Sequence, residues 1–110
     1  MKLHLQRSDY FNKDFDIQYR WYLTKDGSGL ADRYLDSVLA RLNALVLQPG
    51  LGRLRIFKSP ALRGLRSFRV RPPFDSHLIF YRHTEFDLFA ERIMHGARDL
   101  TKRLAEPPFG

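Results

Sequence analysis

The stretch that most constrains the fold runs from Ser76 to Leu104, SHLIFYRHTEFDLFAERIMHGARDLTKRL. Inside it, Leu78, Ile79, Phe80 and Tyr81 form an unbroken apolar run of good β-formers. A strand with one wet face would alternate, so a run without alternation has both faces covered. That is the position of a central strand. His83-Thr84-Glu85 turns the chain, and Phe86 to His95 reads as a second strand. There Phe86, Leu88 and Ala90 alternate with Asp87 and Glu91, and the pattern becomes wholly apolar at Ile93 and Met94. A connection this short makes the two strands an antiparallel hairpin.

The remainder must supply what covers that strand. Lys2 to Gln6 alternates, with Leu3 and Leu5 on one face, and predicts a short strand. Ser8 is placed to cap a helix over residues 9–25, with Asp9 at its positive end. Phe11, Phe15, Tyr19, Tyr22 and Leu23 make one broad apolar face of that helix, while Tyr10, Ile17 and Trp21 make a second stripe. A helix with two such stripes is either sandwiched or offers one to a partner. Asp26-Gly27-Ser28-Gly29 breaks the pattern. A second helix over residues 30–48 follows, with Ala31, Tyr34, Leu35, Val38, Leu39, Leu42, Leu45 and Val46 on one face and Pro49-Gly50 as its stop. Two helices joined so briefly form an antiparallel helical hairpin.

Residues 51–64 carry no sustained period and predict a loop or a short edge segment. Residues 65–71 alternate, with Arg66, Phe68 and Val70 on one face and Ser67, Arg69 and Arg71 on the other; Pro72-Pro73 ends the strand. Residues 99–104 predict one or two helical turns. The order is therefore β-α-α-β-β-β, an α+β domain in which a helical hairpin packs on a small, mainly antiparallel sheet. One domain is expected over residues 1–104, with a loose tail at 105–110.

Charge is distributed unevenly. The 110 residues carry 19 Lys and Arg against 12 Asp and Glu, a net +7. No acid occurs between Ser37 and Phe74, where Arg41, Arg53, Arg55, Lys58, Arg63, Arg66, Arg69 and Arg71 lie. Placed on one surface, such a block attracts a polyanion or an acidic partner. By themselves Arg66, Arg69 and Arg71 read slightly more readily as a solvated sheet face than as a binding surface. Cysteine is absent, which excludes disulfides and thiolate metal sites and fits a reducing compartment. Residues 1–25 hold no apolar stretch of about 7–15 residues, and no run approaches a membrane span, so a cytoplasmic protein is expected.

Few chemistries are spelled locally. His4, His77, His83 and His95 are scattered, and no metal site is expected. Ser67 and Ser76 have no histidine placed to activate them. Gly50-Leu51-Gly52 lacks the lysine and helix of a phosphate loop.

The ordered set Leu65-Arg66-Ser67-Phe68-Arg69-Val70, then Ser76 to Arg82, then Arg92-Ile93-Met94-His95-Gly96-Ala97-Arg98-Asp99-Leu100 resembles the ParE branch of the RelE/ParE superfamily. Those proteins are toxins of bacterial toxin–antitoxin pairs, often called plasmid stabilisation proteins. The resemblance runs from the first strand to about Leu104, and the strand closing in His95-Gly96-Ala97-Arg98-Asp99 is its most specific part. It implies the element order already reached from periodicity. It also implies a toxin neutralised by a cognate antitoxin, acting on DNA gyrase by binding rather than catalysis and needing no cofactor. Assembly as a homodimer or a toxin–antitoxin hetero-oligomer follows from the same likeness, with DNA reached only through the antitoxin. Arg66, Arg69, Arg71, Arg98 and Trp21 are the expected contacts to target or antitoxin.

Two alternatives belong to the same superfamily. A RelE-like ribosome-dependent mRNA endoribonuclease needs a base, an acid and cations around the phosphate. Here His77, His95 and Arg98 would supply them. The chain departs from that pattern, with His77 where RelE carries an arginine, Leu100 in place of a further arginine, and no tyrosine after it. The other alternative is a non-toxic member that serves only as an antitoxin partner.

Overall fold

Ser8 opens the first helix as the sequence predicts, its hydroxyl accepting the Phe11 N–H at 3.0 Å. The computed structural model describes residues 2–96 and 99–108. Helix α1 spans Asp9–Leu47, and a straight helix of 39 residues would be roughly 58 Å long. The whole molecule extends only 38 Å, because α1 folds back on itself at Asp26 (φ −145°) and Gly27 (φ 76°). The left-handed conformation at Gly27 suits a residue without a Cβ. Phe15 of the first arm stacks on Tyr34 of the second at 5.3 Å, and Tyr19 Oη donates to the Asp32 carboxylate at 2.8 Å. The result is the expected antiparallel helical hairpin.

Among the described residues five strands make one mixed sheet: β1 (His4–Arg7), β2 (Arg53–Leu54), β3 (Arg66–Arg69), β4 (His77–His83) and β5 (Asp87–His95), in the order β1-β5-β4-β3-β2. All pairings are antiparallel except β1 with β5. Strand β4 is central, and Ile79, Phe80 and Tyr81 are wholly buried. Within residues 51–64 an edge segment does form, the two-residue strand β2, between the single 3₁₀ turns Pro49–Leu51 and Pro60–Leu62.

Each face of the sheet has its own core. The helical hairpin brings Phe11, Tyr34, Val38, Leu42 and Leu45 onto Ile79, Tyr81, Leu88, Ala90 and Ile93. On the opposite face Leu62, Leu65, Leu78, Phe80 and Met94 are closed over by Leu104 of a short helix α2 (Leu100–Ala105). A β-bulge explains the change of pattern along β5. Phe80 lies opposite Arg92 and Tyr81 opposite Ala90, leaving Glu91 as the extra residue. One inserted residue reverses the side-chain phase, so Leu88 and Ala90 before it share a face with Ile93 after it.

Two polar devices lock these layers. Arg92 clamps the Asp14 carboxylate through Nε (2.8 Å) and Nη2 (2.9 Å), with both side chains buried. Its Nη1 reaches the carbonyls of Arg103 (3.2 Å) and Glu106 (2.6 Å) at the end of α2. One guanidinium thus ties α1, β5 and α2 together. At the opposite edge, Tyr81 Oη donates to Pro49 O at 2.6 Å and accepts from the Gly52 N–H at 2.9 Å. A Cβ at Gly52 would overlap that hydroxyl, so the loop approaches only because the residue is glycine. Among the described residues, no helix is long and apolar enough to cross a membrane.

Candidate partner-binding surface

The acid-free window folds into β2, β3 and the second arm of α1, which concentrates its arginines along one edge of the sheet. Ser67 and Arg69 lie opposite Phe80 and Leu78, so their side chains take the face away from the helical hairpin. Arg55 joins them there, donating from Nη1 to Ser67 Oγ at 3.4 Å. Burial holds the Arg55 guanidinium below its ordinary pKa, and the charges of Arg53 and Arg69 add to the effect. Arg41 stands nearer the helical side. Its guanidinium lies 4.0 Å from the Phe68 ring centre, and its Nε donates to Arg69 O at 2.8 Å. Burial lowers its pKa too, followed by the charge of Arg71. Arginine stays protonated through such shifts. Among the described residues none of these five arginines pairs with a carboxylate.

Of the contacts expected from the sequence, Arg69 and Arg71 are exposed on this surface. Arg69 also donates to Asp75 O. Arg66 is half-buried and donates to Gly52 O at 2.9 Å, beside the Tyr81 hydroxyl. Arg98 lies outside the described residues. Trp21 is 50% exposed on the first arm of α1, with Tyr10 and Ile17 on the same open stripe. Of the two readings of that helix, the structure shows the one with an uncovered stripe.

The register of β4 and β5 sets His77 directly opposite His95, with ring centres 5.9 Å apart. His77 is buried among Tyr22, Tyr34 and Phe74, and its Nε2 meets Tyr22 Oη at 3.1 Å. Burial, and then the charge of His95, pushes its pKa down to about 4. At neutral pH this imidazole is uncharged, a poor proton acceptor, and its Nε2 is occupied. Ile17, Trp21 and His95 border a small opening of about 380 Å³ above it. The two histidines named as candidate bases are therefore neighbours, one enclosed and one exposed.

One feature carries no local sequence signal. A groove of about 620 Å³ runs across the face opposite the helical hairpin, lined by Tyr10, Leu62, Leu65, Phe89 and Leu104. Its walls come from four separate parts of the chain, so only tertiary structure assembles it. Among the described residues no three His, Cys, Asp or Glu side chains come together as metal ligands would.

The sequence pattern of the family described as the ParE toxin of the type II toxin–antitoxin system parDE matches residues 5–100, from β1 to the first residue of α2. The chain belongs to the ParE toxin family. Solved structures share the ParE fold at low sequence identity. A chain of the chromosomal ParDE TA system from P. aeruginosa aligns with a TM-score of 0.70 and 17% identity, over 87% of this chain and 98% of that one. YafQ from E. coli strain BL21(DE3) aligns at 0.58 and 18% identity, over 86% and 93%. A chain of the E. coli DinJ–YafQ complex aligns at 0.57 and 20% identity, over 90% and 99%. At these identities the likeness is one of fold. A search of curated proteins finds no match. The ParE match spans Trp21, Arg66, Arg69, Arg71, His77, His95 and Arg98, so every contact and candidate base expected from the sequence lies inside it.

Proposed function

We propose that this ParE family toxin acts in the cytoplasm by binding DNA gyrase, and that a cognate antitoxin neutralises it in a hetero-oligomer that touches DNA only through the antitoxin. The observation that carries the reading is the family match over residues 5–100. The state of the histidine corner supports binding over catalysis, because His77 is neutral, enclosed and held by Tyr22. Arg69 and Arg71 supply exposed charge, Trp21 an exposed aromatic anchor and the half-buried Arg66 a further guanidinium, while Arg98 joins the set by its place in the sequence alone. Aromatic and arginine anchors of this kind dominate protein interfaces.

Two purified assays test the proposal side by side: gyrase supercoiling and cleavage of ribosome-bound mRNA. Supercoiling should be inhibited, and Arg69→Glu with Arg71→Glu should abolish both inhibition and toxicity while far-UV circular dichroism stays unchanged. His77→Gln and His95→Gln should retain most activity, whereas loss of a general base would cost about 10²–10⁴ in rate. Intact supercoiling with cut mRNA overturns the gyrase reading in favour of the endoribonuclease. No toxicity and no activity in either assay leaves only the role of antitoxin partner.

A further inference from the structure

The outer strand β2 is left open in a way that specifies what would close it. Arg53 pairs with Ser67, and Arg55 N–H donates to Leu65 O at 2.9 Å, so these residues turn their backbone groups into the sheet. Backbone groups alternate along an antiparallel strand, so those of Leu54 and Ile56 point away from it. Side chains alternate as well. Leu54 lies opposite Arg66, itself opposite Tyr81, which puts Leu54 on the side of the helical hairpin. Arg53 and Arg55 take the other side, with Ser67 and Arg69.

Leu54 is 51% exposed and Ile56 94%. An open strand edge bearing bare aliphatic side chains is what free-standing sheets avoid, because it recruits another strand. Charge decides which strand. A second copy docked edge to edge would set Arg53 and Arg55 against their own counterparts, and like charges across a strand pair repel. A segment with carboxylates at alternate positions would instead meet both arginines, in a window of the sequence that holds no acid of its own.

We propose that β2 is extended by an added strand from the antitoxin partner, in which apolar residues alternate with Asp or Glu. The apolar residues cover Leu54 and Ile56, the acids face Arg53 and Arg55, and the main chain pairs with the free groups of Leu54 and Ile56. The proposal rests on the toxin–antitoxin reading for the source of the strand, and on the geometry of β2 for its chemistry.

A fluorescein-labelled eight-residue Val-Glu repeat is the probe, with a Val-Lys repeat as its control, and binding is read by anisotropy. The Val-Glu peptide should bind and the Val-Lys peptide should not. Leu54→Pro deletes an outward N–H and is tolerated at an edge, and it should weaken binding about tenfold. A second variant, Arg53→Glu with Arg55→Glu, should reverse the preference between the two peptides. Equal binding of both peptides, or unchanged affinity in Leu54→Pro, overturns the proposal. So does a dimer in sedimentation that Leu54→Pro dissolves, since the edge would then belong to a second copy. Antitoxin that binds Leu54→Pro as tightly as the parent also overturns it, while leaving the toxin reading intact. Loss of toxicity in the parent chain would sink that reading even with peptide binding preserved.

Discussion

His77 shows how one side chain links register to pH. Folding takes it from a group that titrates near 6.5 to one pushed down to about 4, so the folded state disfavours its proton. The unfolded chain binds that proton more readily below pH 6.5, and stability therefore falls as pH drops through that interval. The loss should reach about 2 kcal/mol by pH 5 and on the order of 3 kcal/mol by pH 4. Urea melts at pH 7 and pH 5 should show it, and His77→Gln should remove most of the difference. An identical pH dependence in the variant would mean that other groups carry it. Both His77 and His95 are legible in the sequence as titratable groups. Their apposition is not, because it depends on the register between β4 and β5. The clamp between Arg92 and Asp14 is hidden for the same reason, its partners standing 78 positions apart.

At the scale of elements, local pattern went furthest where a single element decides its own conformation. The Asp26-Gly27 break is readable because only a glycine adopts that backbone freely, and the hairpin of helices follows from it. The central position of β4 is readable from its unbroken apolar run. Phe80 tests it: the ring is wholly buried between Leu62, Leu65, Met94 and Leu104. Phe80→Ala should cost about 3–5 kcal/mol in chemical denaturation, and a loss under about 1 kcal/mol would contradict a central strand. What local pattern could not convey was relational. Strand β2 is too short for a period, and the apolar turn at Ile93 and Met94 has a cause, the bulge at Glu91, that exists only against β4. The binding surface divides likewise: the acid-free window is visible in the sequence, whereas its sorting onto two sides of β2 is not.

For the molecule as a whole, the basic edge and the open stripe of α1 are far apart in sequence and are brought onto one frame by the sheet. That frame has a seam. Strand β1 pairs with β5 in parallel, and Ser8 Oγ donates to Glu91 O across a separation of 83 residues. Long-range pairing must wait for its later partner, which makes such folds slow to close. A chain stopped after residue 86 keeps four strands and the helices but lacks β5, which joins β1 to β4 and carries Leu88, Ala90 and Ile93 of the core, and it should be digested by a protease as an unfolded chain is. Resistance of that fragment would show that the helices and the first four strands fold alone. The seam also sets a clock during synthesis. At the usual pace of translation, roughly 5–15 s separate the appearance of β1 from that of β5. A toxin built this way cannot close its sheet, or present its finished surface, until its last strand is in hand.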